Sequence, residues 1–330
     1  MLPRELDEDD VRVRPPRRTR PRTKSRPGHE DAQQGTVVTV DRGRYRVRVD
    51  HRIVTAVRAR ELGRRAVVVG DRVALVGEIA AGPDALARMV RVEPRTSLLR
   101  RTPDDTDPVE RPVVANAEVL VVVMALADPV PRARLIDRCL VAAYDGGLTP
   151  LLCLTKSDLA SPEELLALYR PLGVEAVVTG LGSGVEELRE RLHNKTSVLF
   201  GQSGVGKSTL VNQLVPDALR AVGDVTGVGK GRHTSSSAIA LELPDGGTVI
   251  DTPGVRSFGL GAVTPAGVLA AFPDLAPGAE ECPVGCDHLG SSCGLDGWVA
   301  AGEATPERLA SLRRLLHSRE GSDGGSDGEA

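Results

Sequence analysis

Gly201, Gly206, Lys207 and Ser208 fall at the spacing G-x-x-x-x-G-K-S within the stretch GQSGVGKS. Residue types at this spacing make a cradle for phosphate. The glycines permit a tight turn, amides at the start of the following helix meet phosphate oxygens, and the helix dipole favours the anion. Lys207 is placed to reach β- and γ-phosphates, and Ser208 to ligate Mg²⁺. Gln202, Ser203, Gly204, Val205 and Thr209 complete the expected nucleotide-contacting loop. An apolar run, Thr196 to Phe200, predicts a strand before the loop, and STLVNQL predicts a helix after it. That strand–loop–helix context is what separates a phosphate loop from a Gly-rich turn.

Two further constellations suit the same chemistry. Asp251-Thr252-Pro253-Gly254 ends a predicted strand. Asp251 there can hold Mg²⁺ through water, and the Gly254 amide can sense a γ-phosphate. Between the two motifs lies VTGVGKGRHTSSS, a polar, Gly-rich segment suited to a switch. In it Thr234, or a neighbouring hydroxyl, would ligate Mg²⁺ only when the γ-phosphate is present. The second constellation is Thr155-Lys156-Ser157-Asp158, which matches the guanine-selecting pattern [NT]-K-x-D. The Asp158 carboxylate can accept from N1–H and the 2-amino group of guanine. Adenine offers neither donor and would leave the carboxylate unpaired. The Lys156 stem can cover the base, and the Thr155 hydroxyl can brace the phosphate loop. Thr179-Gly180, after the apolar AVV, would back the base with backbone amides.

A third cluster is Cys282, Cys286, His288 and Cys293. In a chain read as cytosolic, this spacing suggests a metal rather than disulfides. Cys139 and Cys153 sit alone in apolar surroundings and are read as core residues.

The elements that must position these groups follow from composition and periodicity. The chain has 330 residues, enough for two or three domains, and only 2% aromatic residues, so its core must rest on Val, Leu and Ala. Residues 35–98 alternate apolar and charged positions in short runs, as half-buried strands do, and suit a small closed barrel of the OB type. Its outward positions are rich in arginine (Arg44, Arg46, Arg48, Arg52, Arg58, Arg60), which serves equally as a solvated face or a nucleic-acid face. RTPDDTDPVERP reads as a polar linker. Beyond it, apolar runs alternate with amphipathic helical patterns, the rhythm of a parallel or mixed sheet covered on both faces. The last helical pattern, PERLASLRRLLHSRE, carries Arg308, Arg313, Arg314 and Arg319, again read equally as RNA-facing or solvated.

Both ends are predicted to be disordered, being poor in apolar residues. Residues 12–26 carry seven Arg and one Lys, and GSDGGSDGEA at the other end is acidic, so the net charge of −3 hides a strong asymmetry. The basic arm suits phosphate contacts without base stacking. The longest apolar run, Val119 to Ala127, is too short to cross a bilayer, and MLPRELDEDD lacks the apolar stretch of a signal peptide. A soluble, cytoplasmic protein is expected, without membrane association and working as a monomer.

The motif order is base, base backing, phosphate loop, switch, D-x-x-G. This is the ordinary GTPase set rotated, and such a rotation keeps one spatial site if the old termini lie close together. On GQSGVGKSTLVN, GKGRHTS, DTPGVRSFGL and the Cys/His cluster, the chain resembles the circularly permuted ribosome-assembly GTPase family RsgA, also called YjeQ, over residues 35–318. The resemblance implies a multidomain fold: an N-terminal OB-type β-barrel (35–98), a central circularly permuted α/β P-loop GTPase domain (99–265) and a C-terminal zinc-binding, mainly helical domain (266–320). A basic arm (1–34) and an acidic tail (321–330) flank them. It implies GTP hydrolysis to GDP and phosphate, stimulated by the small ribosomal subunit and its rRNA, in late maturation of that subunit. The alternative is an RNA-binding module in which GTP only selects a conformation. A P-loop ATPase or kinase is the third reading, which Asp158 opposes.

Two departures from the family pattern stand out: Thr155 where Asn is usual, and Thr179-Gly180 in place of Ser-Ala. The Cys/His cluster is one residue shorter in both outer gaps, so its loop must be tighter. Three Cys and one His make a closed tetrahedral shell for one structural zinc. Because Val255 follows D-T-P-G, the usual water-positioning Gln is absent. His233 is the candidate for that task, with Lys207 as the charge-stabilising group and Arg232 and Arg256 as weaker candidates.

Overall fold

The computed structural model describes residues 29–63, 66–77, 79, 86–101, 111–216, 238–252, 258, 260, 263–290 and 292–319. Most of the basic arm, the switch segment with Arg232, His233 and Thr234, the residues Gly254, Val255 and Arg256, and the acidic tail lie outside the described residues. From Asp31 onward the chain forms one unit.

Alternating apolar and charged residues give five strands: β1 (Gln33–Asp41), β2 (Arg44–Val49), β3 (Arg52–Arg58), β4 (Arg72–Val76) and β5 (Leu86–Val92). They run in the order β1-β2-β3-β5-β4, and β4 pairs back onto β1, which closes an OB-type barrel. Inward positions such as Val37, Val47, Ala56, Leu75 and Met89 are fully buried and fill it. The intervening arginines point outward, as the two-residue period requires. Arg48 is turned toward the αβ sheet. It pairs with Glu242 at 2.8 Å and reaches Thr248 Oγ1 at 3.5 Å.

The segment read as a linker is flanked by a strand pair. Leu98–Arg101 (β6) and Arg111–Ala115 (β7) form an antiparallel two-stranded sheet. Arg100, Arg101, Arg111 and Pro112 obscured the alternation, although Leu99 and Val114 are buried at 1% exposure.

The αβ alternation produces β8 (Val119–Ala125), α1 (Ala133–Gly146), β9 (Thr149–Thr155), α2 (Glu163–Tyr169), β10 (Glu175–Val178), α3 (Val185–Leu192), β11 (Thr196–Phe200), α4 (Lys207–Leu214), β12 (Ile239–Glu242) and β13 (Thr248–Asp251). The strand order is β10-β9-β8-β11-β13-β12, parallel from β10 through β13, with β12 antiparallel at its end. β8 is buried along its whole length because helices cover both faces of the sheet. α2 starts after Pro162, and the Ser161 hydroxyl accepts from the Glu163 amide at 3.4 Å. One pair, Thr39 with Ile239, joins β1 to β12, so barrel and αβ sheet form one 11-stranded sheet.

The C-terminal region holds α5 (Pro265–Leu269), a 3₁₀ turn (Ala276–Glu281), α6 (Gly294–Ala300) and α7 (Pro306–Arg319). Leu309, Leu312, Leu315 and Leu316 of α7 share one core with Ile136 and Leu140 of α1. The region therefore leans on the αβ domain and not only on its Cys/His cluster. Its arginines are committed inward: Arg308 pairs with Asp274 at 2.9 Å, Arg313 with Asp296 at 2.7 Å and Arg314 with Asp137 at 3.1 Å. The side chain of Arg319 lies outside the described set. No helix of the described residues is long and apolar enough to cross a membrane.

Candidate functional site

Parallel strands β10, β9, β8, β11 and β13 end at the same edge of the sheet, so the loops that follow them are neighbours. This edge is where ligands of open αβ sheets sit. Four of those loops carry the motifs read from the sequence.

The loop Gly201–Gly206 joins β11 to α4, and Lys207 is the first helical residue. Gly206 holds φ at 93°, a left-handed turn that turns the helix start toward the loop, and a side chain there would be strained. Ser203, Ser208 and Thr209 are exposed at the helix mouth, while Val205 is buried and anchors the loop. Lys207 Nζ pairs with Asp251 Oδ1 at 2.5 Å. The lysine and the carboxylate at the end of β13 thus face one space. Thr252 is fixed beneath, its hydroxyl donating to the Leu199 carbonyl at 2.8 Å.

Thr155, the last residue of β9, is buried and donates its hydroxyl to the Val205 carbonyl at 2.6 Å. The T-K-S-D loop is therefore bonded directly to the phosphate loop through the threonine hydroxyl. Lys156 sits at φ 60° and extends its ammonium to the Asp128 carbonyl in the loop after β8. Asp158 is exposed, and its Oδ1 accepts from the Leu181 amide at 3.3 Å.

The backing loop differs in detail from the expectation. The Thr179 amide donates to the Leu154 carbonyl at 2.7 Å, and the Gly180 amide to the Ser183 carbonyl at 3.2 Å. Neither amide is open, and the donor lying against Asp158 belongs to Leu181. The sequence carried no sign of this, because a backbone amide has no residue type. Gly180 matters through size: a Cβ there would meet Ser157 Oγ at 2.5 Å and Asp158 Oδ1 at 3.4 Å. Glycine in place of alanine lets the backing turn close onto the T-K-S-D loop.

The four metal-type residues also converge. The ligand atoms of Cys282, Cys286, His288 and Cys293 all lie within 4.8 Å of one another. Cys282 Sγ is 3.6 Å from both His288 Nδ1 and Cys293 Sγ, and Cys293 Sγ is 3.6 Å from His288 Nδ1. A tetrahedron with bonds of ~2.3 Å has edges of about 3.8 Å, so this donor set fits zinc. Amides of Gly294 and His288 donate to Cys282 Sγ at 3.2 Å and Cys286 Sγ at 3.3 Å, orienting the sulfurs. Burial, with the neighbouring Cys282 and Cys286 thiols, pushes the Cys293 thiol up to about 12, and burial lowers the His288 imidazole. Such packing of thiols suits a cation among them. Arg313 donates to the His288 carbonyl at 3.0 Å and ties the cluster to α7.

Residues 92–261 match the family model described as RsgA GTPase. A protein of Marinobacter nauticus named small ribosomal subunit biogenesis GTPase RsgA is 40% identical over 67% of this chain and 66% of its own length. One of the same name from Pseudomonas syringae pv. syringae is 40% identical over 77% and 75%. The crystal structure of YjeQ from Thermotoga maritima superposes with a TM-score of 0.62 at 26% identity, over 88% of this chain and 99% of that one. The structure of YloQ, described as a circularly permuted GTPase, superposes with a TM-score of 0.62 at 22% identity, over 89% and 96%, and shares the fold.

Proposed function

The chain belongs to the RsgA GTPase family, and we propose that it hydrolyses GTP to GDP and phosphate in the maturation of the small ribosomal subunit, which stimulates it. The observation that carries the GTP reading is the 2.6 Å bond from Thr155 to Val205. It makes the guanine-type loop and the phosphate loop two walls of one site.

In this reading the amides of Gly201–Thr209 cradle the phosphates at the start of α4. Lys207 leaves Asp251 for the β- and γ-phosphate oxygens, which supply a stronger anion than one carboxylate. Ser208, Thr234 and the released Asp251, the last through water, would hold Mg²⁺. Bound with GTP, the ion would supply positive charge against the charge that develops on the phosphate oxygens. Asp158 turns to the guanine N1–H and 2-amino group, and the Leu181 amide it vacates becomes a donor for the base carbonyl. Thr179 and Gly180 shape the wall behind it. Gly254 senses the γ-phosphate and His233 orients the attacking water. Water adds to the γ-phosphorus, the bond to the β-γ bridging oxygen breaks, and Lys207 stabilises the charge that gathers there. Cys282, Cys286, His288 and Cys293 hold one structural zinc, which fixes the loop carrying them against α7.

Hydrolysis of GTP by the purified chain, with and without small ribosomal subunits, tests the reading. Stimulation by the small subunit alone, with no competition from ATP, is expected. Equal slow rates with either subunit would remove the ribosomal assignment, and competition by ATP would remove the guanine assignment. Loss of stimulated turnover in His233→Ala, with GTP binding kept, is expected for the water-orienting role.

A further inference from the structure

A purine needs its apolar faces covered as well as its edge read, and aromatic side chains commonly do this by stacking. None is available here. The chain has three Phe, three Tyr and one Trp. Phe200, Phe258, Phe272, Tyr45 and Tyr169 are buried in the cores. Tyr144 stands edge-on to Phe272 at 6.3 Å. Trp298 donates Nε1 to the Asp274 carbonyl in the C-terminal region.

The large apolar side chains left exposed among the described residues are Leu86, Val130, Leu159, Leu168, Leu181 and Val284. Three of them stand in the three loops of the candidate base pocket: Val130 after β8 at 77% exposure, Leu159 after β9 at 58% and Leu181 after β10 at 88%. Contacts already on the page hold those loops together. Lys156 reaches the Asp128 carbonyl, two residues before Val130. The Leu181 amide lies on Asp158, next to Leu159. Pro129 also borders the phosphate loop, since a Cβ on Gly204 would lie 3.7 Å from its Cδ.

We propose that Val130 and Leu181, with Leu159 beside them, form an aliphatic rim that covers the guanine ring of the bound nucleotide in place of an aromatic stack. The inference rests on the GTP reading above and assigns specificity-determining side chains to the same site. Three exposed aliphatic side chains on the loop that carries a base-edge carboxylate and on the two loops bonded to it match a purine, which is apolar on its faces and polar at its rim. A bare polyphosphate offers nothing to such a surface.

The test uses the full chain and GDP carrying a fluorescent label on its ribose, with tripolyphosphate as a competitor that has no base. Val130→Ser/Leu181→Ser changes two exposed side chains. Its folding is checked by the thermal transition of Trp298 fluorescence. Labelled GDP should bind about tenfold more weakly or worse, with tripolyphosphate affinity unchanged. Wild-type GDP affinity in the double variant overturns the rim. Equal weakening of GDP and tripolyphosphate also overturns it, because the loops would then act on the phosphate site. Asp158→Asn separates failure of the rim from failure of the base pocket. A shift from guanosine to xanthosine diphosphate in that variant upholds the pocket whatever the rim does. An unchanged preference removes the pocket and the rim with it.

Discussion

Arg314→Met should expose how the C-terminal helix is fastened to the αβ domain. Arg314 on α7 donates Nε to both carboxylate oxygens of Asp137 on α1, at 3.3 and 3.1 Å, and lies over the Tyr169 ring at 5.1 Å. The Asp137 side chain is 5% exposed, and the Arg314 side chain 29%. Methionine keeps most of the packing but strands a buried carboxylate, a change that costs about 3–5 kcal/mol. At ~2 °C per kcal/mol for a chain of this size, the melting point should fall by roughly 6–10 °C at neutral pH. The loss should depend on pH in one direction. Burial holds the Asp137 carboxyl above its ordinary value, against the pull of Arg314. A carboxyl with a raised folded-state pKa favours the folded chain below its unfolded pKa, and that advantage disappears as pH rises through the folded value. Without Arg314 the folded value rises further, so the deficit of the variant is greatest at neutral pH and shrinks as Asp137 takes up its proton. Thermal unfolding of wild type and variant from pH 8 down to pH 5 measures the difference directly. Asp137→Leu/Arg314→Met should recover most of the stability, because one Arg314 Nη2 is buried without a partner even in the intact pair. A loss in Arg314→Met that is constant across this pH range, or a double variant as weak as the single, would refute the reasoning.

Thr155→Val keeps the shape of the side chain and removes its donor, which leaves the buried Val205 carbonyl without the 2.6 Å bond. An unsatisfied buried acceptor costs about 1–3 kcal/mol; the free loop relaxes to escape that cost and must be restored on binding, so labelled-GDP affinity should fall, by at most roughly 5- to 150-fold. An unchanged affinity would mean that the brace does not set the loop. Removal of zinc by a strong chelator should release one metal ion per chain and change the fluorescence of Trp298, the sole tryptophan, which packs on Gly278 near the cluster. Helix α7 should stay folded, since its leucines share a core with α1. Collapse of the whole chain on chelation would contradict that division.

What the sequence made legible follows how local each cause is. The phosphate loop is local: Gly206 and Lys207 are set by a turn and a helix start only a few residues long. The T-K-S-D loop and the Cys/His cluster are short-range too, and their residue types are rare enough to stand out. The β6–β7 pair escaped because Leu99 and Val114 are matched across a connection, and charged neighbours on each strand hide the period. The inward ion pairs of Arg308, Arg313 and Arg314 escaped for a different reason. An arginine on a helix reads as solvated until its carboxylate partner arrives from elsewhere in the chain, and Asp137 is far away in sequence. The Leu181 amide had no residue-type signal, and only the folded turn shows which donor meets Asp158.

The rotated order has a mechanical consequence that the contacts make concrete. In this order the first of the two segments expected to sense the γ-phosphate returns to the αβ sheet at the strand that touches the barrel, and the second leads on to the C-terminal region. The first runs into β12, whose Ile239 pairs with Thr39 of the barrel and whose Glu242 takes Arg48 at 2.8 Å. The second follows Asp251 and reaches Phe258, whose ring lies 4.3 Å from that of Phe200 at the root of the phosphate loop. The Phe258 carbonyl accepts from Arg138 Nη2 at 3.4 Å, and Arg138 Nη1 reaches the Ser318 carbonyl near the end of α7 at 3.3 Å. A displacement of either segment is therefore borne by a named contact: the Arg48–Glu242 pair on the barrel side, the Arg138 bridge on the helical side. Packed cores do not deform continuously, so such a displacement must move a module or be refused by it. In an unrotated chain the second segment would return to the αβ sheet, and the Arg138 bridge would not lie on its path.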